Sequence, residues 1–356
     1  MTIQRKRIIL LSPSLSKGGA ETQLIKIASE LQSRGFELLI ISLKPINEFD
    51  ISFRQMGLKV VTLNNWMNQP YLNWKKLKRT FSYYKPDLVI AFMFAAILFA
   101  RMLKREGGFK LISSIRISVI PAKWHLLMKL SKGMDDEVVF NSDAAKANFE
   151  RLNLVKKESK VIHNLVAIPR ISIITAQKHA VFTWVCVAHF RWNKDYVTLF
   201  EAIARHKPAS FRVDIIGALN EATWPYQMIL DLGIKKHVRL LDFQQDPSLY
   251  VRAADAFVLS SHSEGMPNAL MEAMSHGKPV VATAIDGITE LVAEAKCGLL
   301  TRKKNAKDLA EKMKEMMAFS PAERQVLGNK GKLYIEQNFN KEKVISEWVQ
   351  LINQLS

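Results

Sequence analysis

The sequence predicts an α/β fold of two doubly wound, Rossmann-like domains facing a central cleft. Three observations carry that expectation. Short apolar runs alternate with amphipathic segments of helical period, the pattern of a parallel sheet covered by helices. The pattern lapses near residue 166 and restarts at residue 182 with a fresh apolar run. The 356 residues exceed what one hydrophobic core ordinarily fills. Two such units in succession place a ligand cleft at the carboxyl ends of their strands.

The elements follow in order. Residues 7–12 (RIILLS) form a strand that runs into Pro13 and the pair Gly18-Gly19. Residues 20–34 carry apolar side chains at 24, 25, 27, 28 and 31, one face of a helix, which Gly35 ends. Strands follow at 36–42 (FELLIIS) and 59–63. Residues 71–84 form an amphipathic helix stopped by Pro86, and strands at 87–92, 110–114, 137–140 and 160–163 complete the first half. Residues 166–180, with Pro169 and no clear period, read as a linker. The second half opens with a strand at 182–188 (FTWVCVA) and a helix at 196–205. A strand at 211–216 ends at Gly217, and a helix at 224–232 and strands at 238–241 and 256–259 follow. Segments 267–276, 280–282 and 289–295 continue the alternation, and helices at 306–317, 321–336 and 341–355 close it. No tandem repeat of solenoid period is present.

At 48% hydrophobic and 24% charged residues, low-complexity, collagen-like and disordered classes are excluded. Cys186 and Cys297 are too few for a disulfide framework or a four-thiolate zinc site, and both read as reduced core residues. The longest apolar run, 88–100, has 13 residues against the roughly 20 that span a bilayer. The basic head is followed by only four apolar residues before Ser12, too few for a signal-peptide core, so the cytosol is the expected location. Charge is lopsided within the total of +18: residues 1–170 hold 28 Lys/Arg against 13 Asp/Glu, and residues 171–356 hold 23 against 20. The first half therefore suits an anionic partner: nucleic acid, an anionic membrane or a phosphorylated substrate. No common nucleic-acid-binding motif is present. Two basic segments with aromatic and leucine residues, 71–84 and 120–132, can lie in a membrane interface or pack as ordinary helices with a lysine face.

The most informative stretch is 260–283, SSHSEGMPNALMEAMSHGKPVVAT. Pro267 suits the first turn of a helix and Gly277 its C-terminal end, so a helix N-terminus faces the end of the preceding strand, where it can receive phosphate. Glu264 lies in the loop, and Glu272 eight positions later lies in the helix, where a carboxylate can accept hydrogen bonds from a ribose diol. By itself this is a strand–turn–helix with two glutamates. The run from Ser263 through Glu264-Gly265-Met266-Pro267-Asn268 to Glu272 and Thr283 resembles the E-x7-E signature of retaining glycosyltransferases of the GT-B fold, family 4, the group 1 set. Asp255 before it and Asp286-Gly287 after it agree. The resemblance implies that Glu264 lies beside the donor sugar, that Glu272 holds the nucleotide ribose, and that Gly265, Met266, Pro267, Asn268, Asp286, Gly287 and the strand-end Gly217 line the donor site.

Residues 187–195 (VAHFRWNKD) are similar to the family's V-G-R-L-x-x-x-K run, whose arginine and lysine grip the donor diphosphate. Lys194 matches. His189 stands at the arginine position, and either Arg191 or a protonated His189 is expected to supply the missing charge. Lys17-Gly18-Gly19-Ala20-Glu21 resembles the first-loop G-G-A-E, so Gly18 and Gly19 are expected against the donor phosphates; read alone, they are a tight turn. On the acceptor side, many relatives carry a histidine after the strand at 87–92, where this chain has Met93-Phe94-Ala95-Ala96. Arg116 lies in an S-x-R stretch and is expected to touch acceptor or diphosphate. His163 reads as a strand-end structural residue.

The resemblance implies transfer of a sugar from a nucleotide-diphosphate donor, most often UDP-linked, with retention. It implies catalytic roles for Glu264, Lys194, Arg191 and Arg116, and no bound metal or other cofactor. The acceptor is expected to be a glycan or a lipid-linked glycan, with peripheral contact to an anionic membrane and no nucleic acid. It implies an acceptor-side domain at 1–168, a donor domain at 169–337, and a terminal helix at 338–356 packing back on the first. Two rival readings remain at this stage: a nucleotide-sugar epimerase of similar fold, and a non-catalytic anionic-surface binder on the same scaffold.

Overall fold

The computed structural model describes residues 6–156, 158–169, 181–206, 210–219 and 221–355. The chain divides into two compact units. The first comprises residues 1–165 and 341–356, the second residues 166–340. Much of the expected linker, 170–180, lies outside the described residues.

The first unit holds seven strands: β1 (Arg7–Ser12), β2 (Glu37–Ser42), β3 (Lys59–Thr62), β4 (Leu88–Phe92), β5 (Lys110–Ile115), β6 (Glu137–Phe140) and β7 (Lys160–Val161). They lie in the order β3-β2-β1-β4-β5-β6-β7, and every neighbouring pair is parallel. Successive side chains of a strand point to opposite faces, and here both faces are covered. Ile9, Leu11, Val89 and Ala91 enter one apolar cluster, while Ile8, Leu10, Leu88 and Ile90 enter the other. That double burial is why the central strands read as unbroken apolar runs.

The second of those clusters is completed by the helix Lys341–Gln354. Its Val344, Ile345, Trp348, Leu351 and Ile352 fall at helical spacing and are buried. Polar bonds fasten its ends to the unit: Arg34 Nη2 to Glu342 Oε2 at 2.7 Å, Lys6 Nζ to Asn353 Oδ1 at 3.0 Å, and Lys160 Nζ to Gln354 Oε1 at 2.9 Å. This helix begins at Lys341. Residues up to Asn338 belong to the preceding helix, Pro321–Asn338, in the second unit.

The second unit holds six strands: β8 (Phe182–Val187), β9 (Phe211–Ile216), β10 (Val238–Leu240), β11 (Ala256–Leu259), β12 (Val280–Thr283) and β13 (Gly298–Thr301). The order is β10-β9-β8-β11-β12-β13, again all parallel. Strand order reverses between β8 and β11, as it does between β1 and β4 in the first unit. Cys186 and Cys297 are free and buried, and burial pushes both thiols up to about 12.

Several elements differ from expectation. The strand expected at 87–92 is β4, and it turns directly into the helix Met93–Lys104, which was not anticipated. Helices Asp50–Gln55, Asp143–Arg151 and Ser248–Ala253, together with β13, were not anticipated. The basic segment 120–132 folds as a seven-residue helix, His125–Ser131, flanked by single 3-10 turns. Pro267 is the residue before the helix Asn268–Ser275 rather than part of its first turn, because its ψ of 113° is extended.

Helix Asn268–Ser275 is seated from behind by helix Pro321–Asn338. The contact relies on glycine: a Cβ on Gly328 would meet the Gly277 carbonyl oxygen at 1.8 Å, and one on Gly331 would meet the Cys297 Cβ at 3.0 Å. Backbone cannot yield as a side chain can. Gly328→Ala is therefore expected to destabilise the second unit by about 1–3 kcal/mol, as overpacking of a dense core does. Thermal unfolding checks this: the variant's melting point should fall by several degrees, while Gly133→Ala, whose Cβ meets open space, leaves it unchanged.

Candidate functional site

In an open parallel sheet, the crevice for a ligand lies where two neighbouring strands send their loops in opposite directions. In the second unit that place is the carboxyl end of β8 and β11. The loop 188–195 leaves β8 and the loop 260–267 leaves β11, and polar bonds join the two. The His262 N–H donates to Asn193 O at 2.7 Å, and Asn193 Nδ2 donates to Ser263 O at 3.2 Å. Ser260 Oγ donates to Asp195 O at 3.0 Å. Asp195 has left-handed backbone, φ 46°, and caps the helix Tyr196–Ala204 by accepting the Thr198 N–H at 3.3 Å. Its other oxygen lies 3.2 Å from His262 Nδ1 without hydrogen-bond alignment. Burial, together with Lys304 and Lys303, lowers the His262 pKa against the opposing pull of Asp195.

Within this scaffold Lys194 and Glu264 meet. Lys194 Nζ lies 2.5 Å from Glu264 Oε1, and Ser261 Oγ donates to the same oxygen at 2.9 Å. The side chains retain 18% and 11% of their exposure, so both charges are largely withdrawn from water. Removing either partner would leave the other as an uncompensated, mostly buried charge.

His189 follows β8 with its ring against Phe243, centroids 6.1 Å apart. Its Nδ1 accepts the Ala218 N–H at 3.0 Å. A nitrogen that accepts cannot carry a proton, so the ring is neutral with hydrogen on Nε2. In this arrangement Nε2, not Nδ1, is the ring nitrogen that a ligand would meet. Arg191 is exposed, and its side chain forms no hydrogen bond or ion pair among the described residues. The adjoining Trp192 is 81% exposed.

Gly217 has a packing reason to be glycine. A Cβ there would lie 1.9 Å from the Ala188 carbonyl oxygen. Gly287 is similar: its Cβ would lie 1.8 Å from Gly265 O, so the first turn of helix Asp286–Ala295 presses directly on the loop that carries Glu264. Asp286 itself is exposed. Gly265, Met266 and Pro267 are buried, and Asn268 opens the helix that carries Glu272, which is half-buried. Pro267 supplies no side-chain acceptor to that first turn.

In the first unit Gly18 precedes helix Gly19–Ser33 and gives it no side-chain cap; a Cβ on Gly18 would collide with Glu21 Oε2 at 2.5 Å. At the end of β4, Met93 takes φ 63°, a costly conformation for a side chain of this size. Beyond the end of β5, Arg116 is 8% exposed. Its Nε donates to Ser114 Oγ at 3.0 Å, and its Nη1 donates to Ile162 O at 3.0 Å and Asn164 Oδ1 at 3.1 Å. The guanidinium lies 5.5 Å from the Trp348 ring. Nη2 is buried with no partner, and no carboxylate forms an ion pair with this residue among the described residues. Burial lowers its pKa to about 9. His163 Nδ1 lies 3.2 Å from Asn141 O, at the strand end.

The structure thus brings Lys194 and Glu264 together, together with Ser261, Asn193, Asp195 and His262, none of which was singled out in the sequence. Asp195 carried a readable signal, an aspartate just before a helical run. The others carried none. No group of three or more His, Cys, Asp or Glu that could hold a metal ion occurs among the described residues.

Comparison with known proteins covers both halves. The family profile "Glycosyltransferase Family 4" matches residues 17–170, and "Glycosyl transferases group 1" matches residues 170–334. The lipopolysaccharide core biosynthesis glycosyltransferase LpsE of Rhizobium meliloti is 27% identical over 203 residues, 55% of this chain and 58% of that protein. The N,N'-diacetylbacillosaminyl-diphospho-undecaprenol alpha-1,3-N-acetylgalactosaminyltransferase of Campylobacter jejuni is 24% identical over 341 residues, 84% of this chain and 87% of that one. Among solved structures, Anabaena HepE in complex with UDP-glucose superposes with a TM-score of 0.86 at 21% identity, covering 98% of this chain and 99% of that one. With both sheets in the doubly wound order and both halves matched, the chain belongs to the group 1 glycosyltransferases, glycosyltransferase family 4, and has their GT-B fold.

Proposed function

We propose that this glycosyltransferase moves a sugar from a UDP-sugar, with retention of configuration, to a lipid-linked glycan during assembly of a cell-surface polysaccharide. The observation that carries the reading is the Lys194–Glu264 pair at the reversal of strand order, beside the N-terminus of helix Asn268–Ser275. The relatives named for lipopolysaccharide core and undecaprenol-linked sugar transfer support the acceptor, and the UDP-glucose complex of HepE supports the donor.

In this reading Lys194, Arg191 and the helix N-terminus carry the diphosphate charge, so the departing phosphate needs no metal. Glu272 accepts the ribose hydroxyls, and Glu264 lies by the donor sugar. The bond from the anomeric carbon to the β-phosphate oxygen breaks, with its electron pair leaving on phosphate. The acceptor hydroxyl bonds the same face of that carbon and gives its proton to the departing phosphate oxygen. Arg116, a buried cation without a carboxylate, serves the anionic part of the acceptor in the first unit.

Five outcomes are expected. Glu272→Gln should weaken UDP binding about tenfold or more, the loss of a hydrogen bond to a charged acceptor, at an unchanged melting point. Calorimetry with UDP checks this, and unaltered affinity removes Glu272 from the ribose. Lys194→Ala should lower kcat by about 10²–10³-fold. Arg191→Ala should follow in the same direction, whereas wild-type turnover would leave Lys194 and the helix N-terminus to do the work alone. Arg116→Gln should raise the acceptor KM while UDP affinity stays as in the wild type. Anomeric configuration of the product, read by NMR, tests retention: an inverted linkage would refute it.

A further inference from the structure

The basic half of the chain contains one element whose exposure its own packing does not explain. Helix His125–Ser131 buries Met128 and leaves Leu126 at 66%, Leu127 at 50% and Leu130 at 76% exposure. Positions 126, 127 and 130 share one helix face. Val119, 50% exposed, precedes them on the same excursion between β5 and β6. So short a helix, with most of its apolar surface in water, gains little from packing.

It is held instead from beneath. Arg101 and Asp135 form a bidentate ion pair at 1% and 0% side-chain exposure, with Nε to Oδ1 at 2.9 Å and Nη2 to Oδ2 at 2.5 Å. Ser113 Oγ donates to the same carboxylate at 2.8 Å. The remaining guanidinium nitrogen grips the helix itself: Arg101 Nη1 donates to Ser131 Oγ at 2.7 Å and to Met128 O at 3.3 Å. His125 Nε2 meets Ile120 O at 3.2 Å. Loss of either partner of so buried a pair would leave the other charge uncompensated, so the mount is costly to break. The leucines therefore stand in the water on a fixed mount.

The surroundings have one sign. Lys123 and Lys129 are exposed and form no ion pair among the described residues, Lys132 lies at the helix end, and no acidic residue occurs from Gly107 to Met134. In the other basic amphipathic helix, Pro70–Tyr84, Asn73, Leu77 and Phe81 are buried along the length, and the exposed apolar residues are split between its ends, Tyr71 and Leu72 at one and Tyr83 at the other. We infer that the excursion 119–132 is a membrane wedge: Leu126, Leu127, Leu130 and Val119 enter the acyl boundary of a bilayer, while Lys123 and Lys129 meet anionic headgroups. This inference rests on the lipid-linked acceptor reading and gives it a surface. The excursion starts at the carboxyl end of β5, next to Arg116, so the bilayer would meet the first unit at the edge where the acceptor is expected.

Flotation of the full chain with phosphatidylcholine vesicles, with and without phosphatidylglycerol, tests the wedge. The wild type should float with the anionic vesicles at low salt and be partly released at high salt, since both apolar burial and charge contribute. The triple variant Leu126→Ser, Leu127→Ser, Leu130→Ser should partition at least about tenfold more weakly, with its melting point and UDP affinity unchanged. Leu72→Ser with Tyr83→Ser should float as the wild type does. Wild-type flotation of the leucine variant, or no flotation of the wild type, would overturn the wedge. So would a leucine variant that changes only from dimer to monomer, which would make the face a contact between copies. A wild type that floats as expected yet transfers sugar only to water-soluble glycans would instead sink the lipid-linked acceptor and leave the wedge standing.

Discussion

In the second unit β8 and β11 lie side by side although the chain forms β9 and β10 between them. Their loops must part at the carboxyl edge, and everything in the candidate donor site is arranged around that parting. The opening would be a weak point if the loops were independent. They are joined across it by Asn193, Asp195, Ser260 and His262, and pressed from the far side by Gly287 on Gly265. Lys194 and Glu264 inherit their positions from this framework. Each sits on a loop whose backbone is bonded to the other loop, and their own ion pair and Ser261 hold the side-chain ends.

Lys194 and Arg116, the buried or half-buried cations of the two candidate sites, are treated in opposite ways. In the second unit, the half-buried ammonium of Lys194 already has a carboxylate, and Arg191 is exposed. In the first, the buried guanidinium of Arg116 has only neutral oxygens and aromatic faces, and one of its nitrogens has nothing. The chain meets that cost at Arg116, while at Arg101, a few turns away in sequence, it supplies Asp135 at full bidentate geometry. A buried arginine is thus paired where it supports a helix and left unpaired where a ligand is expected.

Strands were legible because both sheets are covered on both faces, which turns a buried strand into an apolar run. Helix Asn268–Ser275 was legible from Pro267 and Gly277 at its ends. Helix Met93–Lys104 was not, since no turn residue separates it from β4: the chain reverses at Met93 itself, by left-handed backbone that no residue type announces. Helix Asp143–Arg151 buries only Ala145 and Phe149, too few to set a period. Of the site, Glu264, Glu272 and Lys194 could be named from spacing and family resemblance. Their pairing could not, because Lys194 and Glu264 are 70 residues apart in sequence. Nor could the hydrogen bond of His189, which comes from a backbone N–H at another strand end.

The helix Lys341–Gln354 belongs to the first unit but follows the whole second unit in sequence. A ribosome therefore releases the first unit's strands early and its last core residues late. Until Val344, Ile345, Trp348, Leu351 and Ile352 emerge, the face that holds Ile8, Leu10 and Ile90 is covered only in part, by helix Gly19–Ser33. The second unit, continuous from residue 166 to 340, can close its core in the meantime. The domain that begins first finishes last, and for that interval it presents a partly uncovered apolar face of the kind that draws chaperones or aggregates.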